Sequence, residues 1–272
     1  MSKKKVLIVA QEMDPYTALS EMSEVTRNLA QYLQENGMEI RVLMPRFGTI
    51  NERRHRLHEV VRLSGMNIIV DDDDFPLIIK VASLPEARMQ VYFLDNEDFF
   101  RRKGMFEDES GKPYDDNADR VVFFCKGVIE TVKKFGWSPD IVHCHGWMTS
   151  LIPLYLKTAY KLDPLFQHSK VVYSAYSDNL DSLITNNFLA KATINNLTTG
   201  DLDAYQNGNG VTLHKGAIAF SDAVIIGSDR VSESVKKLTN EFDKPVLEYL
   251  REDYLTTYVD FYQSLLEEKV SE

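Results

Sequence analysis

The chain has 272 residues, 44% of them hydrophobic, enough to bury a substantial core as one large domain or two small ones. Its 31 basic against 41 acidic side chains leave a net charge of -10, which repels phosphate backbones and anionic lipid and argues against nucleic acid or a membrane as partner. Two cysteines are too few for a disulfide framework, no stretch approaches the ~20 apolar residues of a membrane span, and the apolar run after Lys5 is too short for a secretion signal, so the expected location is the cytoplasm.

Short apolar runs alternate with amphipathic stretches, the pattern of a parallel sheet covered on both faces, so the predicted fold class is α/β. Residues 4–10 form the first strand. The helix at 20–36 places Met22, Val25, Leu29 and Leu33 on one buried face and ends at Gly37. Residues 40–44 make a second strand, closed by Pro45. Extended runs at 66–70, 75–82 and 89–94, with no helix-length segment between them, predict an inserted β-meander. Asp71, Asp72, Asp73 and Asp74 sit at one of its turns. Adjacent carboxylates there diverge, whereas calcium or magnesium needs converging oxygens, so the reading is a solvated turn.

The helix at 116–135 buries Val121, Phe124, Cys125, Val128 and Val132. It ends in Lys133, Lys134 and Gly136, which suits the negative end of its dipole. A strand at 140–144, a helix near 149–161 and a strand at 170–175 continue the alternation. Residues 177–210 predict loop and short helix. A strand at 223–227 follows, with Ser228 as the cap of a helix carrying Val231, Val235 and Leu238. The stretch 245–268 is read as one amphipathic helix with Leu247, Leu250, Tyr254, Tyr258, Phe261, Tyr262 and Leu265 along one side.

His143, Cys144 and His145 invite a zinc or Cys/His reading. Along a strand the two histidines share a face while Cys144 points away, and the other four histidines have no ligand spacing, so no metal is expected. Polar groups at the carboxyl end of a strand are instead where open α/β sheets bind ligands. Trp147 follows in the strand-to-helix turn, where an indole fits either the core or a sugar face. Residues 11–24 contain no glycine, which disfavours a phosphate loop after the first strand and hence dehydrogenases and P-loop enzymes.

Four segments in order are similar to the N-terminal domain of bacterial glycogen and starch synthases. Val6 to Pro15 resembles the family's strand ending in Ser-Glu-Met-x-Pro. Val91 to Asp95 with Tyr114 to Arg120 resembles its tyrosine- and aspartate-rich approach to a helix. Asp140 to Leu156 resembles its His-Ala-His-Asp-Trp segment, and Lys215 to Ser228 its Lys-Ala-Gly-x-x-x-Ala-Asp stretch. The resemblance covers about residues 1–235. It implies a Rossmann-like, doubly wound, mostly parallel sheet, the N-terminal half of a GT-B glycosyltransferase, and glucosyl transfer from ADP-glucose to an α-glucan without a cofactor. It makes ADP-glucose or an α-glucan the implied ligand, with His143, His145, Trp147, Tyr16, Asp178 and Asn179 as the substrate-binding candidates.

The departures from the family pattern fall on its chemistry. The Lys-Thr-Gly-Gly-Leu donor loop aligns on Ala18, Leu19, Ser20, Glu21 and Met22, placing an anion where a pyrophosphate is gripped, a repulsion of about 1–4 kcal/mol at a few ångströms. The aspartate of the third motif is Gly146, and the family's His-Asn-Leu histidine falls near Ala175 and Tyr176. Residues 1–240 are expected to form the synthase-like domain. Residues 241–272 leave no room for the second GT-B domain, but resemble the closing helix that crosses back onto the first. The expected function is that of a synthase-domain homologue impaired in catalysis on its own, with no residue assigned a catalytic role, because retaining transfer depends on stabilising the departing nucleotide. The alternative is a non-catalytic glucan- or sugar-nucleotide-binding protein, or a scaffold whose strand-end surface meets a second copy or another protein. A sugar-sized pocket at 11–18, 143–147 and 175–179 favours binding; filling by Met22 and Tyr176 favours the scaffold.

Overall fold

Ten strands form one sheet in the computed structural model, which describes residues 3–85, 87, 89–177, 188–194, 197–206 and 210–267. In chain order they are β1 (Lys5–Ala10), β2 (Glu39–Pro45), β3 (His58–Glu59), β4 (Met66–Val70), β5 (Asp73–Ser83), β6 (Gln90–Asp95), β7 (Ile141–His145), β8 (Lys170–Ala175), β9 (Ala223–Ile226) and β10 (Val246–Leu247). The spatial order is β10-β9-β8-β7-β1-β2-β6-β5-β3, with β4 also paired to β5. From β10 to β6 every pairing is parallel, while β5 runs antiparallel to β6, β3 and β4. The strand order reverses at β1, which lies between β2 and β7. Such a switch point opens a crevice at the carboxyl ends of the strands. The fold is the expected mixed α/β sheet, and the meander is the antiparallel flank β4, β5 and β6.

Helices cover the sheet: α1 (Glu21–Glu35), α2 (Glu52–His55), α3 (Glu97–Phe100), α4 (Asn117–Phe135), α5 (Leu151–Lys157), α6 (Phe188–Ala192), α7 (Gly210–Phe220), α8 (Glu233–Glu241) and α9 (Tyr254–Glu267). In α1, Met22, Leu29 and Leu33 are buried and Val25 is half-buried, as the spacing predicts. In α4, Val121, Phe124, Cys125, Val128 and Val132 are all buried. Gly136 closes that helix in the left-handed region (φ 60°), where its N–H bonds the Lys133 carbonyl.

The structure differs from the sequence reading at three places. The helix expected at 149–161 is a 3-10 turn, Trp147–Thr149, followed by the seven-residue α5, which stops at Lys157. Ser228 does not cap α8. Its hydroxyl is buried and accepts the Arg230 N–H at 3.1 Å, and Ser232 is the cap, accepting from the Val235 N–H. The stretch 245–268 is not one helix: Val246–Leu247 is a strand added to β9, and only Tyr254–Glu267 is helical. Helix α9 lies against α1, where Asn28 Nδ2 donates to the Tyr254 hydroxyl at 3.2 Å, and it buries Tyr258, Tyr262 and Leu265. No helix among the described residues is long and apolar enough to cross a membrane.

Candidate functional site

Strand β1 is apolar to its end and delivers Gln11 and Glu12 to the crevice at the switch point. The Glu12 carboxylate accepts the backbone N–H groups of Leu19 (3.0 Å) and Ser20 (2.8 Å) and lies within 3.2 Å of the Ser20 hydroxyl. Ser20 in turn caps α1 by accepting the Met22 N–H at 3.3 Å. The segment ahead of α1 therefore already carries an anion on its exposed amide donors, the arrangement that stabilises a helix N-terminus.

On the other side of the switch point, β7 ends in His143 and His145, both fully buried. They share a face as the strand period requires, and their rings stack with centroids 3.8 Å apart. His143 Nδ1 lies 2.5 Å from the Tyr262 hydroxyl of α9, and its Nε2 lies 2.7 Å from the Ser174 hydroxyl of β8. His145 Nδ1 meets the Tyr176 hydroxyl at 3.0 Å, while its Nε2 has no hydrogen-bond partner among the described residues. Burial holds His143 well below the usual histidine range, helped by His145, and pushes His145 down to about 3. Both imidazoles are neutral, each able to accept from one hydroxyl and donate through its other nitrogen.

Gly146 makes the turn out of β7 with φ 76° and ψ 174°, a backbone region that is essentially glycine's alone. A Cβ placed there would come 2.5 Å from the Met22 methyl and 3.1 Å from Gln11 Oε1. Met22 and Tyr176 are both buried beside this turn, so the space between the ends of β1, β7 and β8 is filled. The crevice is nevertheless open on its other side.

A cleft of about 730 Å³ lies there, walled by residues 16–20, by Thr49, by residues 104–108, and by Gln11, Glu12, Trp147 and Ser177. Tyr16 and Trp147 line it. His143 and His145 do not, and Asp178 and Asn179 lie outside the described residues. Tyr16 is held edge-on to Phe93 at 4.8 Å with its hydroxyl 3.3 Å from the Ser83 carbonyl, and burial pushes its pKa up to about 12. Trp147 is buried at 2% exposure, with the Phe106 ring 4.9 Å away. Glu12, Glu107 and Asp108 supply the charge, and no lysine or arginine lines the cleft among the described residues.

The wall at 104–108 was missed in the sequence. Asp108 pins it by accepting from the Ser110 and Lys112 N–H groups at 2.8 and 3.0 Å, and Arg102 pairs with Asp116 behind it. Beneath it the Arg120 guanidinium is buried among Phe47, Phe100, Phe106 and Tyr114, with its centre 5.3–6.0 Å from each ring, and burial lowers its pKa to about 10. The signal was Phe106 itself, an aromatic in a run of charged and glycine residues.

A family model described as the starch synthase catalytic domain matches residues 5–251. The chain belongs to the starch synthase catalytic-domain family. A glycogen synthase of Chlorobaculum tepidum is 35% identical over 264 residues, 96% of this chain and 52% of that protein. The glycogen synthase of Chlorobium limicola is 41% identical over 174 residues, 64% of this chain and 36% of its own. The chain thus spans about half the length, or less, of these synthase relatives. The catalytic domain of starch synthase IV from Arabidopsis thaliana, solved bound to ADP and acarbose, superposes with a TM-score of 0.73 at 18% identity, over 92% of this chain and 52% of that one. That likeness gives the starch synthase family chain its fold, the mostly parallel α/β sheet of a GT-B catalytic domain.

Proposed function

We propose that this starch synthase family chain holds a neutral α-glucan in the cleft beside Trp147 and does not by itself transfer glucose from ADP-glucose. The observation that carries the reading is the charge of that cleft: three carboxylates, the half-buried Phe106 ring, the edges of Tyr16 and Trp147, hydroxyls from Thr17, Ser20, Thr49 and Ser177, and no lining cation among the described residues. A polyhydroxylated, uncharged chain finds an apolar ring and hydrogen-bond partners in such a cleft, whereas a diphosphate finds repulsion. The filling of the neighbouring space by Met22 and Tyr176, together with Ala18 and Gly146 at positions where the family pattern has lysine and aspartate, supports the loss of transfer. In this reading residues 1–240 are the binding domain and 241–272 the cross-over segment retained on it.

A sugar nucleotide is the second reading. Arg230 and Arg251 border an adjacent hollow of about 620 Å³ on the far side of residues 18–21, although Glu21 and Asp229 face them there. Isothermal titration separates the two, with saturable heat expected for maltooligosaccharides and none for ADP-glucose. Incubation with ADP-glucose and glycogen is expected to give no glucosyl incorporation. Incorporation that falls in Trp147→Phe overturns the proposal, and heat from neither ligand leaves the scaffold reading in its place.

A further inference from the structure

The meander edge of the sheet carries two sets of unneutralised charge. Arg53 and Arg54 on α2, Arg56 after it and Arg62 beyond β3 are all exposed, and they make no ion pair among the described residues. The chain then passes through β4 to Asp71, Asp72, Asp73 and Asp74, equally exposed and without an ion pair among the described residues. Both sets lie along β5: β4 pairs with it from Asp73 to Leu77, and β3 pairs with it at Lys80 and Val81. From Asp73 to Val81 this edge runs about 27 Å at about 3.4 Å per residue. Strand β5 thus separates Arg53, Arg54 and Arg56 from the aspartates of the same copy.

Val61, 79% exposed, adjoins Arg62 in the turn after β3, and Ile69, 54% exposed, stands opposite Asp74 of β5. An exposed apolar side chain beside each charged set gives this edge the mixed composition of an interface, and about 27 Å is the width of the patch of about 800 Å² that each partner commonly buries. A two-fold axis midway along this edge would bring the arginines of each copy onto the aspartates of the other. We propose that this edge is the interface of a homodimer, its partner a second copy of this chain. A polyanion would be met by the arginines alone and repelled by the aspartates and by the net charge of -10, whereas a second copy answers both sets at once. Lys126 and Lys134 of α4 donate to the Ile69 and Ser64 carbonyls, which blunts strand addition and leaves association to side chains.

Sedimentation velocity on the full chain tests this. A dimer is expected at low salt, its dissociation constant rising about tenfold or more as salt screens the paired charges. The variants Arg53→Glu, Arg54→Glu and Asp72→Lys, Asp73→Lys, Asp74→Lys are each expected to be monomeric alone and to form a dimer when mixed in equal amounts. Asp71 is left in place because its φ of 57° disfavours a substitute. A wild-type monomer at low salt overturns the proposal, and retention of heparin or polyphosphate by that monomer would assign the arginines to a polyanion. A dimer that survives both sets of reversals, or a mixture that stays monomeric, also overturns it. Circular dichroism establishes that the variants are folded; if one is not, the salt response of the wild type decides, and a salt-insensitive dimer sinks the idea.

Discussion

At the scale of single residues, the buried histidine pair ties stability to pH. The folded pKa of His145 is depressed to about 3, so the stabilisation of its neutral form is fully present above the unfolded value near 6.5 and is lost as pH falls toward 3. At pH 5 the loss is about 2 kcal/mol for this side chain. Urea titrations between pH 5 and 7 are expected to show it, and His145→Gln is expected to flatten the slope by close to one proton. An unchanged slope would mean that the imidazole is charged in the fold. Tyr262→Phe removes a hydroxyl from a fully buried His143 nitrogen and is expected to cost about 1–3 kcal/mol in the same assay. The sequence put both histidines on one face, because strand period alone fixes that. It put Tyr262 on the apolar side of the closing helix but did not pair it with His143, 119 residues away.

At the scale of elements, α9 contributes much of what closes the sheet. Burial of Tyr258, Tyr262 and Leu265 is worth about 1.5–3 kcal/mol each, together comparable with the roughly 5–15 kcal/mol net stability of a domain. A chain ended after Asp253 is therefore expected to bind a hydrophobic dye and to lose its cooperative thermal transition. Retention of a sharp transition would mean that the helix is dispensable. The long helices α1 and α4 were legible because several turns of three- and four-residue spacing leave one answer. Strand β10 was not, because two residues show no period and the spacing of Leu247, Leu250 and Tyr254 imitates a helix. Ser228 and Ser232 are equally good caps by residue type, and only the burial of Ser228 in the turn after β9 separates them.

At the scale of the whole molecule, a single apolar cluster joins β1, α4, α7 and α9 through residues from Val6 to Leu265. Heating is thus expected to give one transition, with tryptophan fluorescence and far-ultraviolet dichroism coincident; separated midpoints would divide the chain into two units. The sheet and its switch point followed from alternating short apolar runs, and with them the place of the crevice. Its open part did not, because the wall at 104–108 is built from turns pinned by Asp108 and Arg102, which leave no periodic mark. Gly146 limits what this corner of the site can carry. Its backbone stands where only glycine is at ease, while the Met22 methyl that a Cβ would crowd is the end of a flexible side chain, so an aspartate placed there would be opposed by the backbone of the turn more than by its packing. The cost of any side chain at this corner therefore falls on the path of the chain from β7 into the 3-10 turn, and a redesign of the site would begin with that path.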